Sequence, residues 1–163
     1  MDSSPISKGF TLVELIIVII ILGIISTFAA SRFTGTSSYS TFTAQEQAIS
    51  VIRQIQVNRM QSNVSAADDS FRLTVNNDCL GSVAACNLNL SNSAQKSQAD
   101  ARSDYVRESD ISFSSPNTII EFDLLGNPSV SAGVNITINS TTSSNSAQVC
   151  INSQGYVREG ACL

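Results

Sequence analysis

The order of apolar and polar positions divides the chain into three stretches. From Phe10 to Ala30 the only charge is Glu14, and Leu15 to Leu22 is unbroken Leu, Ile and Val. As a helix, these 21 residues span about 31 Å at about 1.5 Å per residue, close to the hydrocarbon thickness of a bilayer. A secretory signal would carry a shorter apolar core and then a small-x-small cleavage site. Here the apolar run passes directly into more helix-like sequence, so it reads as a retained transmembrane helix over residues 10–31. Lys8 ahead of it, partly offset by Asp2, gives a weak positive-inside bias that leaves the short N-terminus in the cytoplasm.

The second stretch begins after Arg32 and Phe33. "TGTSSYST" is polar and small, and Gly35 with its hydroxyl neighbours weakens helix propensity, which predicts a flexible joint. In "FTAQEQAISVIRQIQVNRMQ", Ala44, Ala48, Val51, Ile52 and Ile55 recur at helical spacing. An amphipathic helix is predicted from about Ser40 to Gln61, its apolar side packed on a sheet. It occupies the segment 32–63.

Beyond Asn63 the period shortens. "FRLTVNN", "TIIEFDL", "VNITINS" and "AQVCIN" alternate apolar and polar and read as strands. "LGNP" and "NSQG" carry turn chemistry, and a hairpin from Ala147–Ile151 to Tyr156–Arg158 closes the domain. Leu90 to Asp110 is polar and mixed in charge, a surface excursion with room for one short helix. The predicted class is α+β: a long N-terminal helix laid across four to six antiparallel strands, with the globular part at 64–163.

Composition narrows the chemistry. A net charge of −4 offers no general attraction for nucleic acid. Histidine is absent, which removes the common acid–base pairs and the usual catalytic zinc sites. Serines are plentiful, but Lys8 and Lys96 are the only lysines, so no activated nucleophile can be assembled and no enzyme is expected. Asp68, Asp69, Asp100, Asp104 and Asp110 lack the alternating oxygen pattern of a calcium loop and read as solvated charges. Neither metal nor cofactor is expected.

Four cysteines, Cys79, Cys86, Cys150 and Cys162, sit in the part that the anchor would place outside the cytoplasm, which favours disulfides. Three connectivities are possible. The local pairs Cys79–Cys86 and Cys150–Cys162 are favoured, the second fastening the C-terminus to a core strand.

An ionised carboxylate in the outer part of an apolar core costs about a few kcal/mol. Glu14 therefore either reaches interfacial water or meets a cation supplied by another chain. The segment Lys8-Gly9-Phe10-Thr11-Leu12-Val13-Glu14-Leu15 resembles the processing site of type IV prepilins and pseudopilins. The resemblance implies a leader at residues 1–9, cleavage between Gly9 and Phe10, and N-methylation of Phe10. It also implies that Glu14 pairs with the α-amino group of a neighbouring subunit, where a paired charge is tolerable. The implied partners are other pilin subunits, a prepilin peptidase and methyltransferase, and an inner-membrane assembly platform. The implied location is the bacterial inner membrane, with a periplasmic C-terminal domain, and then the pilus at the cell surface. Many relatives carry a proline where this chain has Ser31, which leaves the usual helix bend without its cause.

The segment "RFTGTSSYSTFTAQEQAISVIRQIQVNRMQS" resembles minor pilins of the mannose-sensitive haemagglutinin (MSHA) pilus. "IIEFDLLGNPSV" and "VCINSQGYVREGAC" resemble the C-terminal part of some minor pilins and pseudopilins. These resemblances imply a minor pilin for surface attachment, or a minor pseudopilin of a type II secretion system. A DNA-receiving pilin would need a basic cluster, and "YVREGACL" offers Arg158 beside Glu159. A single-pass anchored enzyme or binding protein unrelated to filaments would keep Met1 to Gly9.

Overall fold

The structure is a computed structural model. It describes residues 11–33 and 36–162, with side-chain surroundings for 11–26 and 40–162. The chain forms two compact units, Met1–Thr36 and Ser37–Leu163.

The first unit contains α1, Leu12–Phe33. Its apolar residues from Leu12 to Ile25 are exposed on every side of the helix. The helix continues through Ser31 to Phe33. Among the described residues, no helix is long and apolar enough to cross a membrane; the described side chains of α1 stop at Ser26.

The second unit is built around α2, Thr36–Gln61. Its start is a correction to the sequence reading, because Thr36–Ser40, expected to belong to a flexible joint, is helical; Thr34 and Gly35 lie outside the described residues. Extending an existing helix adds one hydrogen bond for each residue fixed, so moderate formers such as Ser and Thr are recruited by the turns that follow. Ala44, Ala48, Val51, Ile52 and Ile55 are buried as the periodicity requires, together with Ile49.

Eight strands form two antiparallel sheets, where the sequence reading expected four to six strands and one sheet. They are β1 (Arg72–Asn76), β2 (Cys79–Ser82), β3 (Tyr105–Val106), β4 (Ile111–Ser114), β5 (Ile119–Glu121), β6 (Val134–Ser140), β7 (Ser146–Ile151) and β8 (Val157–Glu159). One sheet has the order β3-β2-β1-β5 and the other β4-β6-β7-β8. Strands β2, β3 and β4 lie outside the segments read as strands; β3, at two residues, carries no period of its own. Two short helices, α3 (Val83–Cys86) and α4 (Ser93–Asp100), cover the segment between β2 and β3.

The apolar face of α2 packs into one core with Leu73, Val75 and Leu80 from the first sheet and Ile136, Ile138, Val149 and Ile151 from the second. Strand β6 alternates cleanly, with Val134, Ile136 and Ile138 buried and Asn135, Thr137 and Asn139 half-buried. Each such side chain contributes about 1.5–3 kcal/mol when fully buried, so this shared core holds α2 to both sheets.

The flanks of α2 add a second kind of contact. Gln45 Nε2 donates to the carbonyl of Gln148 at 2.7 Å, and Arg53 Nη2 to that of Val157 at 2.9 Å. Gln56 Nε2 donates to the carbonyls of Gly126 (3.0 Å) and Gly155 (2.8 Å). Arg59 Nε reaches the carbonyl of Phe122 at 3.1 Å. These long polar side chains satisfy main-chain carbonyls at sheet ends and turns, which would be costly to bury unpaired.

Candidate functional site

The residues singled out by sequence fall in two places. Gly9 and Phe10, with the leader before them, lie outside the described residues. Glu14 sits in the first turn of α1 and is exposed. Thr11 immediately precedes the helix, and its Oγ1 accepts a hydrogen bond from the backbone amide of Glu14 at 3.2 Å. The Thr11 carbonyl accepts from the Leu15 amide, also at 3.2 Å, opening the helical ladder. Thr11 is thus an N-cap, and the T-x-x-E spacing is that of a capping box. The sequence reading missed this role of Thr11, although the spacing itself was a usable signal.

A negative charge in the first turn also suits the partial positive charge of a helix N-terminus. The segment therefore combines a capped helix start, a carboxylate one turn in, and a long exposed apolar surface beyond it.

The cysteines form two local bridges, Cys79–Cys86 and Cys150–Cys162. The first ties the start of β2 to the end of α3. The second ties central strand β7 to the C-terminal tail, where the Cys162 amide also donates to Asn135 Oδ1 at 2.6 Å. Among the described residues, no group of Cys, Asp and Glu is gathered for a metal ion. Arg158, considered for nucleic acid, turns back on the tail and donates to the Ala161 carbonyl at 2.7 Å.

The polar excursion between β2 and β4 carries a charge pair that sequence reading left as solvated loop. Arg102 Nε and Nη2 meet Asp104 Oδ1 and Oδ2 at 2.8 and 2.6 Å. Burial pushes the Asp104 carboxyl up, but hydrogen bonds from Arg102 and Ser82 and the guanidinium charge outweigh it and leave it below the usual range.

Residues 6–30 match the family model described as the prokaryotic N-terminal methylation motif, a type IV pilin-like signal. The match covers the N-terminal segment alone and assigns no class to the rest of the chain. No curated protein and no solved structure matches the chain.

Proposed function

We propose that this chain is a minor pilin of a type IV pilus of the MSHA type, an assembly subunit and not an enzyme. The carrying observation is the methylation motif at residues 6–30, which runs straight into the apolar helix. A prepilin peptidase cuts between Gly9 and Phe10, and Phe10 is then methylated. The Phe10–Ala30 helix spans the inner membrane with the disulfide-bonded domain in the periplasm, consistent with 21 residues whose only charge is Glu14. Extraction then packs this helix against those of other copies, and the exposed apolar surface of α1 suits such packing.

Glu14 pairs with the α-amino group of a neighbour. A charge that is costly alone and satisfied in one alignment sets the axial register. The domain after Gln61 needs no catalytic site in this scheme, and its role is attachment at the cell surface.

The test is the intact mass of the native chain in filaments sheared from cells. A chain that starts at methylated Phe10 and lacks four hydrogens for two disulfides supports a processed pilus subunit. The same chain confined to the membrane fraction favours a type II secretion pseudopilin instead. A mass that retains Met1 to Gly9 overturns both. Glu14→Ala should still be cut and methylated yet enter filaments poorly, and normal entry by that variant would remove Glu14 from the mechanism.

A further inference from the structure

The solvent side of α2 carries a pattern that its core face does not explain. Phe42, Glu46, Ser50, Arg53 and Val57 are all exposed. At about 3.6 residues per turn they fall within about a quarter of the helix circumference, so they form one stripe. Phe42 is 57% exposed and Val57 47%, which leaves an apolar side chain at each end. Glu46 and Arg53 stand between them, and the small Ser50 lies near the centre beside the buried Ile49.

Reversed in direction, the stripe complements itself. Phe42 and Val57 lie equally far on either side of the midpoint between Ile49 and Ser50, and so do Glu46 and Arg53. Two copies of α2 packed antiparallel about that midpoint set each Phe42 against the partner's Val57 and each Glu46 against the partner's Arg53. A parallel pair in register would set like charges together instead, which is unfavourable. None of the ion pairs among the described residues includes Glu46 or Arg53. Arg53 Nη2 donates to the Val157 carbonyl at 2.9 Å, a neutral acceptor, so its charge is positioned on the helix surface without being neutralised.

We propose that this stripe of α2 binds a second copy of the chain, antiparallel, about the Ile49–Ser50 midpoint. Such a contact is isologous, the same patch used by both copies, as in closed dimers. The apolar ends supply burial, and the crossed charges fix direction and register more than affinity. Tyr156, Arg158 and Glu159 border the depression beside Glu46 and Arg53 and give the contact a polar rim of both signs. The stripe is narrow beside a standard interface of about 20–30 residues a side, so the pairing is weak and rises with concentration. It is a property of the chain itself. That it joins copies from separate filaments rests on the filament reading above, because copies within one helical filament all point the same way.

Interchain disulfide trapping on the full chain in detergent micelles tests this, with Glu46→Cys and Arg53→Cys made as separate variants. Mixed and oxidised, the two should cross-link to each other about tenfold more than either does to itself. A position and its own copy lie about 10 Å apart along the antiparallel helices, outside the reach of a disulfide. Lys96→Cys, exposed on α4, should give only collisional background with Arg53→Cys. Phe42→Cys mixed with Val57→Cys should link as the first pair does. Adding Glu46→Arg to both should lower that yield about tenfold, and adding Arg53→Glu as well should restore it. No cross-link above background, dominant self-linking of Glu46→Cys or Arg53→Cys, or no rescue by the double charge swap overturns the proposal. Self-linking marks a parallel contact of the kind filament packing makes, so this failure is distinct from a failure to form filaments.

Discussion

The hydroxyl of Thr11 accepts a hydrogen bond from the backbone amide of Glu14 at 3.2 Å, so the residue proposed to set filament register is fixed at the backbone by its own neighbour. The first four amides of a helix lack intrahelical partners, and here one is satisfied within the motif. If cleavage falls after Gly9, Thr11 becomes the second residue of the mature chain and the cap survives processing.

This separates two roles that a deletion of the whole motif would confuse. Thr11→Ala should cost the start of α1 about 1 kcal/mol and speed hydrogen exchange at the Glu14 amide, while Thr11→Ser should restore protection. Cleavage and methylation should persist in both. An unchanged exchange rate at that amide in Thr11→Ala would show that the cap contributes nothing to the start of the helix.

The joint between two turns offers a second test. Gln56 donates one amide group to the carbonyls of Gly126 and Gly155, which lie on different turns. Gly155 has a φ of +79°, and a Cβ there would overlap the Gly126 carbonyl oxygen. Gln56→Ala leaves two carbonyls short of a donor and should cost about 1–3 kcal/mol. Gly155→Ala should cost more, because it forces both strain and overlap. Thermal unfolding midpoints should rank them in that order, and the reverse ranking would mean that the turn simply moves aside.

How much of this was legible beforehand follows from the physics of each element. The core face of α2 could be read directly, because burial imposes a helical period on Ala44, Ala48, Val51, Ile52 and Ile55. Strand β6 was equally open, since a half-buried strand must alternate. Strand β3 was not: two residues carry no period, and its place depends on the missing Cβ of Gly81, a contact far away in sequence. The carbonyl-seeking roles of Gln45, Arg53, Gln56 and Arg59 were hidden for a related reason. A polar residue on a helix flank looks solvated until the strands it reaches are in place. In the N-terminal site, Glu14 stood out by its cost in an apolar run, whereas Thr11 blended into it.

Arg59 makes the most demanding of those flank contacts. It is 5% exposed, yet its partners are neutral: the carbonyls of Phe122, Val64 and Ser65 and the hydroxyl of Ser62. The planar fork ties the C-terminal end of α2 to Phe122, just after β5, and to the loop that follows the helix. A single ammonium cannot reproduce that geometry. Arg59→Lys should therefore lose about 2–4 kcal/mol, seen as a lower denaturant midpoint with an unchanged slope. A midpoint equal to the parent's would show that the loop re-forms around lysine.

The two disulfides close short loops, with sequence separations of 7 and 12. Chain entropy assigns about 2.5 and about 3 kcal/mol to them. The paired change Cys150→Ser with Cys162→Ser should be felt more than Cys79→Ser with Cys86→Ser. The former frees the tail from a central strand, whereas the latter releases one turn of helix beside β2. Calorimetry on both double variants, each compared with the parent, distinguishes these, and equal losses would point to residual order in the reduced tail.

The Arg102–Asp104 pair gives the protein an acid-side weakness with a definite sign. The Asp104 carboxyl is held below its usual range: burial opposes the ionised form, but hydrogen bonds from Arg102 and Ser82 and the nearby positive charge win. The unfolded chain, with an ordinary carboxyl near about 3.9, therefore takes up its proton at higher pH than the folded one. The stability from this pair is fully present above that unfolded value and is lost as pH falls through the lower folded value. Both side chains retain some solvent contact, so screening limits the contribution to about 1 kcal/mol. Asp104→Asn should lower stability at neutral pH by that amount and flatten the loss below about pH 4. Denaturant midpoints measured across that range for parent and variant test the assignment. Parallel curves would mean that acid sensitivity arises at another carboxylate, with Asp123, held low mainly by its hydrogen bond from the Asn127 side chain, the next to substitute.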